Sequence, residues 1–168
     1  AKRFSVSICA CRHEKHHLGE KKCDTPLETC TSMGGAAEYL IRNNLGREIS
    51  KEEMHAILDR SQETGLVLNA DNVRRNVSFI CHCCSCCCNV LLGITKFGYA
   101  NTIVTSSFIA HIESDACTEC GECIDECPVG TLSVHPFGYS QVDEKICLGC
   151  GVCVLSCEHG AMSLRKRM

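Results

Sequence analysis

Between residues 117 and 157 the chain writes one cysteine spacing twice. Cys117, Cys120, Cys123 and Cys127 form C-x2-C-x2-C-x3-C, and thirty residues on Cys147, Cys150, Cys153 and Cys157 form it again. Three thiols at three-residue intervals can wrap one loop around three corners of a metal core, and a fourth must come from elsewhere in the chain. Gly121 and Gly151 hold the same place in both runs, where a missing Cβ lets the backbone come close to whatever the thiols hold. Eighteen of the 168 residues are cysteine, a density that leaves a disulfide framework or metal. Adjacent cysteines are awkward to pair as disulfides, and disulfide-stapled secreted domains are shorter than this chain. The tandem runs decide for metal and for a reducing compartment. Structural zinc competes for these runs, but zinc ribbons use paired C-x2-C units rather than runs of four.

Pro128 follows the first run, completing the ligand pattern of bacterial iron–sulfur proteins. On these residues the stretch from Ala116 to Gly160 resembles the bacterial-type two-cluster, or 2[4Fe–4S], ferredoxin family, over about a third of the chain. The resemblance implies two [4Fe–4S] clusters, the fourth cysteine of each run ligating the other cluster. Cys117, Cys120, Cys123 and Cys157 would hold one, and Cys147, Cys150, Cys153 and Cys127 the second. It also implies two halves, each a short hairpin plus a helix, related by a pseudo-two-fold. Thr131-Leu132-Ser133-Val134 answers Ala161-Met162-Ser163-Leu164 in that scheme. Glu158 stands where the second half usually has proline, a residue that shapes the turn and is not a ligand. Amide N–H groups in the loops are expected to donate to sulfur and raise the reduction potential.

Ten cysteines lie outside these runs: Cys9, Cys11, Cys23 and Cys30, then Cys81, Cys83, Cys84, Cys86, Cys87 and Cys88 within the octet CHCCSCCC. Exposed free thiols oxidise readily, so ten of them call for a partner. One or two further iron–sulfur clusters of the [4Fe–4S] type are expected here. A first allocation gives Cys81, Cys84 and Cys87 to one cluster, with Cys23 or Cys30 as the remote fourth ligand. Cys9 and Cys11, with Cys83, Cys86 or Cys88, would hold another. The layout C-x-C-R-H, C-x6-C, a capped helix, then ICxCCxCCC ahead of a two-cluster module resembles dicluster ferredoxin proteins of anaerobes that carry a cysteine-rich N-terminal extension. Two alternatives stay open. Cys9, Cys11, His13 or His16, and Cys23 would make a tetrahedral zinc site. Adjacent cysteines could bridge irons in a non-cubane cluster of the heterodisulfide-reductase type, although its paired CCG motifs are absent. Covalent haem has no C-x-x-C-H to attach to. His82, inside the octet, is a donor to sulfur or a ligand.

The expected fold is α+β: a mainly helical, cysteine-rich module over 1–104 and a ferredoxin-like two-cluster module over 105–168. Phe4, Val6 and Ile8 alternate as in a strand. Ala36 to Asn44 reads as a helix closed by Gly46. Ser50 and Glu53 form a capping box ahead of the apolar stripe Met54, Ile57 and Leu58, and Gly65 ends that helix. Leu66–Leu68 and Val77–Ile80 read as extended, Asn89–Gly98 as a short helix, Asn101–Ser107 as a linker, and Phe108–Ile112 as a strand.

Thiolate-saturated clusters change redox state with little reorganisation, which favours a non-catalytic electron-transfer protein or subunit. It would relay electrons to or from a redox partner or larger oxidoreductase complex of anaerobic metabolism. Glu119, Glu122, Asp125 and Glu126 offer an acidic face to a basic partner. The rivals are a redox sensor and an enzyme whose N-terminal cluster or zinc site binds substrate. A net charge of −3 gives no case for nucleic acid. No long uncharged apolar window marks a membrane span, and no secretory signal is legible, so a cytoplasmic setting is expected. No G-x-G-x-x-G points to flavin or nicotinamide.

Overall fold

A computed structural model describes residues 3–99 and 102–167. Asn101, where the linker was expected to begin, lies outside them. The chain divides into two compact units, Ala1–Asn89 and Val90–Met168.

The first unit is built on a five-stranded antiparallel sheet. Its strands are β1 (Phe4–Ile8), β2 (Glu28–Met33), β3 (Gly46–Ile49), β4 (Val67–Ala70) and β5 (Phe79–Cys83), in the order β3-β1-β2-β5-β4. Three helices join them: α1 (Ala10–His17), α2 (Gly35–Arg42) and α3 (Lys51–Glu63). The expectation of a mainly helical module therefore needs correcting, because a sheet organises the unit. The apolar core is small: Val6, Ile49 and Met54 are buried, with Phe4, Met33, Ile57, Leu58 and Ile80 packed around them. The stripe on α3 thus meets the sheet. Burial of Val6, Ile49 and Met54 supplies roughly 1.5–3 kcal/mol each, and the half-buried side chains around them less.

Ser50 caps α3, its side chain accepting from the Glu53 amide at 3.1 Å. The reciprocal half of the capping box is not made by Glu53. Its carboxylate pairs with Arg47 at 2.7 Å instead, tying the helix start to β3.

The second unit starts along α4 (Asn89–Phe97) and continues through β6 (Phe108–Ile112), a 3-10 turn (Ser114–Ala116), α5 (Glu122–Asp125), β7 (Leu132–Val134), β8 (Ser140–Val142), α6 (Val152–Leu155) and β9 (Met162–Lys166). Its strands pair antiparallel as β6 with β9 and β7 with β8. Each strand pair thus takes one strand from either half, not two from the same half as the hairpin picture implied. The matched tetrapeptides keep their equivalence: Leu132 and Met162 are both buried in the one core that also takes in Ile109, Ala110, Cys123, Cys147 and Cys153.

Gly121 and Gly151 occupy the N-cap of α5 and α6 in the left-handed region, at φ 81 and 84°. The positive φ by itself calls for glycine at both positions. Gly149 is held by close approach as well. Its φ is +65°, and a Cβ there would overlap the Phe108 carbonyl oxygen. Gly149→Ala is expected to cost about 1–3 kcal/mol from backbone strain alone, with the displaced β6 adding to it. Urea unfolding measures this, and an unchanged midpoint would refute it.

Candidate metal centres

In the second unit the eight cysteines of the tandem runs separate into two sets around two cavities. One is lined by Cys117, Cys120, Cys123 and Cys157. The other is lined by Cys127, Cys147, Cys150 and Cys153. Each set takes three thiols from one run and the last from the other, because α5 and α6 lie against each other.

The donor chemistry around these sulfurs suits thiolates. The Thr131 amide donates to Cys127 Sγ at 3.3 Å, and the Thr131 hydroxyl lies 3.4 Å from the same sulfur. Ser140 Oγ lies 3.3 Å from Cys123 Sγ. Amides of Ser140 and Glu119 donate to Cys117 and lower its pKa. Burial pushes the Cys153 thiol up to about 12, with the neighbouring thiolates of Cys150, Cys127 and Cys147 adding to the effect. Four thiols crowded in an apolar site are stable as thiolates only with cationic metal between them. Two cubanes fit: each set offers four sulfurs, a largely apolar enclosure and N–H donors.

Residues 116–162 match the family described as a 4Fe-4S dicluster domain. This stretch is similar to ferredoxin-type proteins with two [4Fe–4S] clusters. A probable ferredoxin of Methanosarcina thermophila is 44% identical over 36 residues, which are 21% of this chain and 62% of that protein. The chain thus spans less than two thirds of that relative's length.

The ten cysteines of the first unit also fall into two sets, divided differently from the sequence allocation. Cys23, Cys84, Cys86 and Cys87 form one, with all four sulfurs within 4.8 Å of one another. Contacts run from Cys23 to Cys84 at 3.6 Å, Cys23 to Cys87 at 3.9 Å, Cys84 to Cys86 at 3.8 Å and Cys86 to Cys87 at 3.2 Å. The other set is Cys9, Cys11, Cys30, Cys81, Cys83 and Cys88. Hydrogen bonds link these in a chain from Cys9 through Cys30, Cys81, Cys83 and Cys88 to Cys11. Those from Cys30 and Cys83 bring Cys81 down to about 3, and one from Cys30 brings Cys9 down to about 6. Their partners Cys30 and Cys83 are pushed up, chiefly by the same bonds to Cys81.

The reason for this division is where β5 stops. Thr31 faces Ile80 across β2 and β5, so Cys30 comes beside Cys81. Strand alternation puts Cys83 on the face of Cys81 and His82 on the opposite one. The strand ends at Cys83, and Cys84 to Cys87 turn away toward Cys23. Cys81 therefore does not join Cys84 and Cys87, and Cys86 takes its place.

His82 is buried between hydroxyls, Nδ1 2.7 Å from Ser61 Oγ and Nε2 3.1 Å from Thr31 Oγ1. Both ring nitrogens are thus engaged away from the thiols. The zinc set of Cys9, Cys11, His13 or His16, and Cys23 is not assembled. Cys9 and Cys23 belong to different groups, and exposed His13 lies against His17, their Nε2 atoms 3.0 Å apart.

Arg12 was not singled out from sequence. It is 1% exposed. Its Nη1 donates to Pro26 O at 3.0 Å and Thr29 Oγ1 at 3.1 Å, and its Nη2 to His82 O at 2.8 Å and Cys84 Sγ at 3.6 Å. Burial works against its charge, but the thiolates of Cys84, Cys9 and Cys23 outweigh that and raise its pKa. It is the cation both thiol sets share. The signal that could have found it is an arginine at the head of a cysteine-flanked segment, C-x-C-R.

Proposed function

We propose that this chain is an electron-transfer protein or subunit that relays electrons to or from a larger oxidoreductase. Two [4Fe–4S] clusters in the second unit would serve it, and a further iron–sulfur cluster at the six-thiol set of Cys9, Cys11, Cys30, Cys81, Cys83 and Cys88. The observation that carries this is the pair of four-cysteine cavities in the ferredoxin-type stretch, each drawing ligands from both runs. Bound clusters of this kind exchange single electrons, at potentials the protein sets through hydrogen bonding and burial. The chain's own part is to hold the thiolates, exclude water and aim donors at the sulfurs, as Thr131 does at Cys127. Four thiolates per cluster leave no position for a substrate, which favours relay over catalysis.

Glu119, Glu122, Asp125 and Glu126 are all exposed, around exposed Cys120. An acidic rim beside a cluster suits docking to a basic surface, an interaction weakened by salt.

Anaerobic iron and sulfide analysis tests the reading. About twelve irons per chain are expected, falling to about eight in Cys30→Ser/Cys81→Ser. About eight in the unsubstituted chain would confine clusters to the second unit. An iron-free, colourless protein would end the electron-transfer reading.

A further inference from the structure

Cys23 and the three thiols that turn toward it after β5, Cys84, Cys86 and Cys87, form one compact knot, with all four sulfurs within 4.8 Å of one another. A single ion with metal–sulfur bonds of about 2.3 Å holds the corners of a regular tetrahedron about 3.8 Å apart. Three of the separations, 3.6, 3.9 and 3.8 Å, lie at that value, and Cys86 and Cys87 stand closer at 3.2 Å. A cubane places four irons and four sulfides between its cysteine sulfurs and keeps them farther apart. Among the described residues, neither tandem set of the second unit gathers its sulfurs that closely, and each lines a pocket instead.

We propose that Cys23, Cys84, Cys86 and Cys87 bind one tetrahedral zinc ion, a structural site separate from every iron–sulfur cluster of the chain. Four thiolates around tetrahedral geometry select zinc among common divalent ions, and a closed four-cysteine shell is the structural form of such a site. Zinc with four thiolates carries a net charge of −2. Arg12, buried and donating to Cys84 Sγ at 3.6 Å, offsets part of it. Leu66 closes the site on the apolar side, packed with Cys84 and Cys87 in one buried cluster. The ligands come from two distant segments, so the ion would pin the 20s loop to the turn after β5. Cys23 is the residue of that loop that packs against this cluster. The proposal stands apart from the relay reading, since it concerns zinc and that reading concerns iron.

The test is metal analysis of the full chain, purified anaerobically, beside Cys84→Ser/Cys87→Ser. About one zinc per chain is expected, lost in the variant, with iron and sulfide unchanged. Absence of zinc from the unsubstituted chain, or a fall in iron and sulfide in the variant, overturns the proposal. Should the variant fail to fold, zinc-edge X-ray absorption of the unsubstituted chain decides: four sulfur neighbours at about 2.3 Å support the site, and nitrogen or oxygen neighbours overturn it.

Discussion

Chelating the iron under anaerobic conditions is expected to unfold the two-cluster unit. Its sheets are two-stranded ladders, which are marginal in water by themselves. Its core places Cys123, Cys147 and Cys153 among Ile109, Ala110, Leu132 and Met162, so three of the buried side chains are thiols that face cavities. Empty, those cavities leave the surrounding atoms without contacts, and the thiolates repel one another. Metal binding in small thiolate domains supplies on the order of 10 kcal/mol or more, comparable to the whole stability of a domain. Amide exchange across β6 and β9, where Ala110 faces Leu164, reads the outcome. Protection there should collapse on iron removal. Retained protection would mean that the apolar contacts suffice and the clusters are passengers.

The second large effect is expected at Arg12. Arg12→Met keeps the apolar stem and removes every donor. The His82 carbonyl, Thr29 Oγ1 and Cys84 Sγ then lose the donor that Arg12 supplies in a buried site, while the Pro26 carbonyl keeps its bond from the Thr29 hydroxyl. Unpaired buried acceptors and an uncompensated thiolate place the cost at about 3–5 kcal/mol for the first unit. Loss of a donor to a ligand sulfur also weakens metal binding by about 10–100-fold. Arg12→Lys keeps the charge but cannot reach four acceptors with a planar fork, and should fall in between. Urea unfolding and metal competition measure the two effects. A methionine variant as stable and as tightly metallated as the parent would remove Arg12 from this role.

The legibility of the sequence follows the same chemistry. The paired runs announce their chemistry because ligand spacing is local. The strands and helices with apolar periodicity, β1, α2 and α3, are legible for the same reason. β2 is not. Its sequence ETCTSM has no alternation of apolar side chains, because its buried positions are polar. Thr29 meets Arg12 and Thr31 meets His82, so hydrogen bonds do there what packing does elsewhere. Helix α1, ACRHEKHH, is hidden likewise, its one buried residue being an arginine. β2 is the strand that joins β1 to β5, so with it hidden the sheet does not show in the sequence. The octet could not be divided from sequence because the division depends on the strand end at Cys83, in the middle of a uniform run of cysteines. The partner thiols, Cys23 and Cys30, lie more than fifty residues upstream of it.

The pairing of β6 with β9 and β7 with β8 has a consequence for biogenesis. Neither half of the ferredoxin-type unit owns a complete set of four thiols or a complete ladder. As the chain leaves the ribosome, the first run emerges with three sulfurs ready and no fourth, and β6 has no neighbour until β9 is made. Cofactor insertion must therefore wait for the second half, and a chain truncated before Cys153 would have neither set of four thiols complete.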